Sequence, residues 1–261
     1  MTTAQTHPAG SFCWIELGTS DQNAAKKFYS DLFGWSVNDN PMGPGAVYTI
    51  FRLNGKDSAA ACTLSKEEVE SHVPPHWNLY IAVDNVDESA AKVTNAGGKV
   101  LATPFDVMDV GRMTVAQDPT GAVVCLWQAK QHSGLGAINQ DGAFCWADLS
   151  TPDPARAGKF YSDVLGWKLE TGENDPSGYQ HIKNGDKHIG GIPPASQRLA
   201  GAPAHWLIYF HVADVEASAE KAKKMGAKVF MPPAAMPGVG TWAVLADPQG
   251  AAFSLFKSAR H

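Results

Sequence analysis

The chain has 261 residues, 44% of them hydrophobic and 18% charged, which describes an ordinary globular protein with room for two domains of ~100 to 200 residues each. A formal charge of −5 with no run of five or more Lys or Arg offers nothing to hold a phosphate backbone or an anionic surface, so neither nucleic acid nor membrane is expected as a partner. The amino-terminal MTTAQTHPAGSF lacks a basic segment followed by an apolar run, and no stretch approaches the ~18 apolar residues of a membrane span. A cytoplasmic location is expected. Cys13, Cys62, Cys125 and Cys145 show no paired metal spacing and read as reduced thiols rather than a disulfide framework.

In chain order, Phe12 to Gly18 reads as a strand. Ser20 or Asp21 then caps a helix in which Ala24, Phe28, Leu32 and Ala25, Tyr29, Phe33 follow helical spacing, and Gly34 ends it in a left-handed cap. Asn38 to Ala46 reads as a loop. Short apolar strands follow at Val47 to Leu53 and Ser58 to Thr63, and Asn54-Gly55 between them signals a type I′ hairpin. The pattern then restarts: His76 to Val83 is a strand, Asp84 or Asn85 caps a second helix through Val86, Ala90 and Val93, and Gly97 closes it. Strands near Lys99 to Phe105, Arg112 to Gln117 and Val123 to Gln128 complete the set, with an Asp-Pro-Thr-Gly turn between the last two.

The whole plan then occurs a second time. FCWIELGTSDQNAAKKFYSDLFGW (12 to 35) returns 132 positions later as FCWADLSTPDPARAGKFYSDVLGW, with 14 of 24 residues identical. PPHWNLYIAVDNVDESAAKVTNAGGKV (74 to 100) returns 129 positions later as PAHWLIYFHVADVEASAEKAKKMGAKV, with 12 of 27 identical. Asp118-Pro119-Thr120-Gly121-Ala122 returns as Asp247-Pro248-Gln249-Gly250-Ala251. A period near 130 marks a duplicated domain, since solenoid units repeat at ~20 to 50 residues. In the second copy Pro154 follows Asp153 at the first helical position, and Gly166 and Gly226 close the two helices. Glu173 to Gly178 matches the loop at Asn38 to Ala46. Lys130 to Gly142 is polar, glycine-rich and aperiodic, so the domains are placed at 1–130 and 143–261 with 131–142 as linker.

Paired βαβββ units, a helix ending in FYSDLFGW or FYSDVLGW, and a D-P-x-G-A turn before the final strand together resemble the vicinal oxygen chelate superfamily of glyoxalases, bleomycin-resistance proteins and extradiol dioxygenases. The tandem arrangement with P-H-W opening the fifth strand of each copy further resembles two-domain glyoxalase-like proteins often labelled hydroxylases. The resemblance implies an α+β fold: two tandem domains, each an eight-stranded mixed sheet curled into a cup, with helices on the convex side and a small ligand on the concave one. It also implies a divalent metal held from the first, fifth and eighth strands by His or Gln, His, and Glu. Laid onto this chain, those positions are Trp14, Asn78 and Cys125 in the first copy and Trp146, Leu207 and Ser254 in the second. Trp and Leu carry no lone pair for a cation, and Ser and Asn are weak ligands without a charged partner. Neither a metal nor another cofactor is expected.

Trp14 and Glu16, like Trp146 and Asp148, alternate onto one face of the first strand, where an indole beside a carboxylate would suit a flat or cationic ligand; equally, the indole would fill a metal-free cavity. Tyr80 and Tyr209 share the inward face and can position a polar ligand. Cys125 is a candidate nucleophile or a buried inert thiol. His76 and His205 precede Trp at matching places, which a shared loop-closing bond explains as well as chemistry does. His181, His188 and His211 occur only in the second copy and could serve acid–base work or, with Asp148, a non-standard metal cluster. The repeated Lys-Phe-Tyr at 27–29 and 159–161 reads as helix core, and the segments 107–112 and 235–240 are candidate lids or plain connections between strands.

The leading expectation is a protein that binds a small, aromatic or hydrophobic organic molecule without metal. The ligand-lining candidates are Trp14, Glu16, Asn78, Tyr80, Cys125, Trp146, Asp148, Tyr209, His211 and Ser254. Two other readings stand beside it. One is a glyoxalase-like lyase or isomerase, or a hydroxylase, with Glu16 or Asp148 as base and His211 or Tyr209 assisting. The other is an interaction protein whose cups have closed. Monomer and homo-oligomer are both open.

Overall fold

A computed structural model describes residues 7–172, 177–198 and 201–259. The first copy forms β1 (Phe12–Thr19), α1 (Gln22–Phe33), β2 (Ser36–Gly43), β3 (Ala46–Leu53), β4 (Lys56–Thr63), α2 (Lys66–Glu70), β5 (His76–Ala82), α3 (Val86–Asn95), β6 (Lys99–Val107), β7 (Gly111–Gln117) and β8 (Val123–Ala129). The second forms β9 (Phe144–Ser150), α4 (Pro154–Leu165), β10 (Lys168–Thr171), β11 (Gln180–Asn184), β12 (Lys187–Ile192), β13 (His205–His211), α5 (Val215–Lys224), β14 (Lys228–Met236), β15 (Gly240–Ala246) and β16 (Ala252–Ser258). Each copy makes one mixed eight-stranded sheet, ordered β2-β3-β4-β1-β5-β8-β7-β6 and β10-β11-β12-β9-β13-β16-β15-β14. The fold is α+β, as the repeat pattern implies. No helix among the described residues is long and apolar enough to cross a membrane.

Local chemistry sets these bounds. The Asp21 side chain accepts from the Ala24 amide and Gly34 closes α1 at φ 74°; Asp153, Pro154 and Gly166 repeat the arrangement around α4. Asn54 and Gly55 sit at φ 52° and 77°, the two positive values a type I′ turn requires. One reading is corrected. Asn38 to Ala46 is not a loop but most of β2 and its hairpin into β3. Pro41 is tolerated because β2 is an edge strand that needs no further amide donor. Asp39 and Asn40 bond across the hairpin, to Thr49 Oγ1 and the Tyr48 carbonyl. In the matching segment of the second copy, residues 173–176 lie outside the described residues. The segments 107–112 and 235–240 are strand ends joined by tight turns, closed by Val110 N to Val107 O and Val239 N to Met236 O at 3.1 Å each. The short helix α2 carried an unread signal, the capping box Ser65/Glu68.

By packing, the chain divides into two compact units that do not coincide with the copies. One gathers Met1–Trp14, Asn78–Gly134 and Ala147–Leu207; the other gathers Ile15–Trp77, Leu135–Trp146 and Ile208–His261. Each therefore joins half of one copy to half of the other. In the second unit, α1 of the first copy packs on α5 of the second, and Phe33 lies 4.7 Å from Phe210, centroid to centroid. The Tyr29 hydroxyl accepts from Trp77 Nε1 (3.1 Å) and donates to Asp247 Oδ2 (3.0 Å). Asp247 Oδ1 takes the amides of Gln249, Gly250 and Ala251. In the first unit, Trp206 Nε1 donates to the Tyr161 hydroxyl at 3.0 Å. Burial and the neighbouring Asp118 charge push that phenol's ionisation up. The repeated D-P-x-G turn of each copy thus anchors the repeated helix tyrosine of the other.

A candidate ligand face and its carboxylate pairs

In the first unit, the face of β5 and β8 turned away from the helices is filled by its own side chains. Trp14, Tyr80 and Trp127 are 3%, 6% and 6% exposed, and Cys125 is also buried. Tyr80 pairs in register with Cys125, so both point to one side. The His132 ring stands edge-on to Trp14 at 4.5 Å and 6.1 Å from Trp127, and its carbonyl accepts from Trp127 Nε1 at 3.2 Å. Trp127 lies across β7 only because residue 111 is glycine, where a Cβ would come within 2.1 Å of the indole. Asn78 is half-buried on the same strand face as Tyr80.

This unit also carries β9 from Ala147 onward. Here Asp148, 7% exposed, accepts from the Tyr179 hydroxyl at 2.6 Å. His181 stands edge-on to Tyr179 at 4.9 Å and tilted 5.0 Å from His188. Gly191, the register partner of Asp148, leaves the room Tyr179 needs, since a Cβ there would come 1.8 Å from its hydroxyl. His188 bonds Glu170 at 3.2 Å, and Lys183 bonds the same carboxylate at 3.1 Å; these partners hold the Glu170 carboxyl below its ordinary range.

In the second unit, Glu16 repeats the motif: Tyr48 donates to it at 2.7 Å. Burial, then the charges of Glu16 and Glu68, push the Cys62 thiol up. Trp146, Tyr209, Trp242 and Phe256 are only half-buried. Tyr209 pairs with Ser254, His211 with Phe256, and Phe256 with Trp242, so these side chains share one face across β13, β16 and β15. The Ser254 hydroxyl is buried and donates to the Ala243 carbonyl at 2.9 Å. His211 Nδ1 bonds Asp141 Oδ1 at 2.8 Å.

Among the described residues, no three His, Cys, Asp or Glu side chains converge as a metal site requires. The family's ligand positions carry indole, amide and thiol in one copy and indole, alkyl and a backbone-bound hydroxyl in the other. That donor set does not fit a divalent cation. His76 and His205 each bond a carbonyl two residues back, Pro74 and Pro203, at 2.9 Å, the loop-closing duty their repetition suggested. No disulfide joins cysteines among the described residues. Sequence reasoning missed Tyr48, Tyr179, His132, Asp141, Trp242 and Phe256. For Asp141 a signal existed: it replaces Ala9 of the first copy just as His211 replaces Ala82.

Two mixed sheets built from paired βαβββ units define a glyoxalase-like fold. The family model for the Glyoxalase/Bleomycin resistance protein/Dioxygenase superfamily matches residues 11–126 and 144–255, and the chain belongs to that superfamily. It is 45% identical over 254 residues to "Putative glyoxylase CFP32" of Mycobacterium tuberculosis, covering 94% of each. It is 33% identical over 267 residues to "Anthracycline biosynthesis protein DnrV" of Streptomyces peucetius, covering 94% of this chain and 92% of that one. Among solved structures, the Mn(II)-bound glyoxalase from Novosphingobium aromaticivorans superposes with TM-score 0.66 at 19% identity, over 95% of this chain and 82% of that one. The 2,3-dioxygenase LapB from Pseudomonas sp. KL28 gives 0.64 at 14%, over 97% and 93%. These two likenesses bear on the fold alone.

Proposed function

We propose that the chain binds a small, aromatic or hydrophobic organic molecule without the family's metal, and that the second copy carries the site. One contrast carries this reading: Trp146, Tyr209, Trp242 and Phe256 are half-buried, whereas the matching Trp14, Tyr80, Met113 and Trp127 of the first copy are buried. Half-exposed aromatics gathered on one sheet face are a ready platform for a flat ring. The first copy's face serves packing. A relative whose name refers to anthracycline biosynthesis supports an aromatic ligand, since anthracyclines are fused-ring aromatics. A cytoplasmic setting, with neither nucleic acid nor membrane as partner, belongs to the same proposal.

Thermal unfolding of the chelator-treated full chain against a panel of aromatic metabolites and antibiotics tests it. A true ligand at 100 times its Kd adds about 2.7 kcal/mol, and Tyr209→Ala or Phe256→Ala removes the effect. Stabilisation by no aromatic compound, or only after metal is added, would overturn the reading.

A second reading, an acid–base enzyme, is favoured by the carboxylate–phenol pairs Asp148–Tyr179 and Glu16–Tyr48. Positioned proton transfer alone supplies ~10² to 10⁴ in rate. Turnover of the methylglyoxal–glutathione hemithioacetal, lost in Asp148→Asn, would favour the enzyme over the binding protein.

A further inference from the structure

We propose that Asp141 and His211 form a proton-accepting dyad beside the aromatic face of the second copy, and that it selects ligands bearing an acidic phenol or enol. This rests on the aromatic-ligand reading and adds the chemical class the site takes. A carboxylate can only accept, so in the 2.8 Å bond Nδ1 of His211 donates to Asp141 Oδ1, and in the neutral imidazole the other ring nitrogen, Nε2, is then the acceptor. His211 lies beside Phe256 in register, which lies beside Trp242, and Tyr209 stands 6.4 Å from Phe256, ring to ring. The imidazole thus shares the face on which a ring would lie, and with its side chain 29% exposed it is reachable.

The repeat supplies an internal control. In the first copy the backbone is tied in the same way, Gly10 N to Ala82 O at 2.8 Å and Ala82 N to Ser11 O at 2.9 Å. The second copy has Gly142 N to His211 O at 2.8 Å and His211 N to Ala143 O at 2.9 Å. On this shared scaffold the first copy carries Ala9 and Ala82 where the second carries Asp141 and His211. The first copy makes these backbone bonds with alanine at both places, and the pair occurs only in the copy whose aromatic face is half-exposed. In the step proposed, the ligand's O–H bond breaks, its proton moves to Nε2, the electron pair stays on oxygen, and a phenolate–imidazolium pair forms. Asp141 acts as a positioning residue that also offsets the imidazolium charge.

The probe is 4-nitrophenol, yellow as the anion and nearly colourless when neutral, with 4-nitroanisole as the analogue lacking the proton. Added to the full chain in neutral buffer, 4-nitrophenol should bind with a larger yellow fraction than it has free in the same buffer, and at least about tenfold more tightly than 4-nitroanisole, the scale of a hydrogen bond to a charged group. His211→Ala, which reproduces the first copy, should abolish the excess colour and equalise the two affinities. Asp141→Asn should reduce the yellow fraction while 4-nitroanisole still binds unchanged. Both probes binding equally, with 4-nitrophenol no yellower than when free and His211→Ala silent, would overturn the dyad and leave the aromatic site standing. Neither probe binding would overturn both.

Discussion

Gly191 shows how one missing methyl group makes room for a buried hydrogen bond. A Cβ there would come 1.8 Å from the Tyr179 hydroxyl, so Gly191→Ala must displace the ring and break its hydrogen bond to Asp148, a buried carboxylate. We expect a loss of about 1–3 kcal/mol in urea unfolding, shrinking towards zero in a Tyr179→Ala background; an equal penalty in both backgrounds would contradict the assignment. Asp247 gives a pH prediction. Burial lifts its carboxyl above the ordinary value, against the pull of its backbone amides and Tyr29. The folded chain then holds this proton more tightly than the unfolded one, so stability falls as pH rises from the ordinary carboxylate value through the raised one. Asp247→Asn should flatten that part of the stability curve, and an unchanged slope would refute it. Such residues were half legible in the sequence. Trp14, Glu16, Tyr209 and Asp148 could be placed on a strand face by alternation alone. Tyr48 and Tyr179 could not be joined to their carboxylates, because those bonds span 32 and 31 positions and depend on how hairpins fold back.

At the scale of elements, local chemistry spoke clearly where a side chain or glycine decides a dihedral. Asp21, Gly34, Asp153, Gly166 and Asn54-Gly55 all act where their types predict. It misled where tertiary pairing overrides composition. NDNPMGPGA has the residues of a loop, yet β3 offers partners to its backbone, Lys26 and Thr49 hold Asp39, and the exposed edge forgives Pro41. The helix α2 was overlooked for the opposite reason: its five residues bury nothing, so no apolar periodicity marked it and only the capping box could have.

For the whole molecule, duplication was plain from repeated blocks, but the compact units were not, because identity between copies says nothing about which copy packs on which. The tie between Tyr29 and Asp247, 218 positions apart, couples the halves of the chain within one core. A fragment ending at Gly134 loses that partner for Tyr29 and the Tyr161 helix that faces Asp118. Fragments 1–134 and 135–261 should therefore be unfolded or self-associated when expressed singly and should co-purify as a one-to-one complex when expressed together; a folded monomeric 1–134 would contradict this. The half-exposed aromatic face then has a meaning within the duplication under the proposed function: Trp14, Trp127 and His132 fill the matching face of the first copy, and the second copy's face is the one proposed to take the ligand. Titration calorimetry of the chelator-treated full chain with 4-nitroanisole tests this most directly. The account predicts one site per chain, unaffected by added Mn²⁺ or Ni²⁺ and lost on Phe256→Ala. Binding that needs the metal, or that survives Phe256→Ala and Tyr209→Ala together, would contradict it.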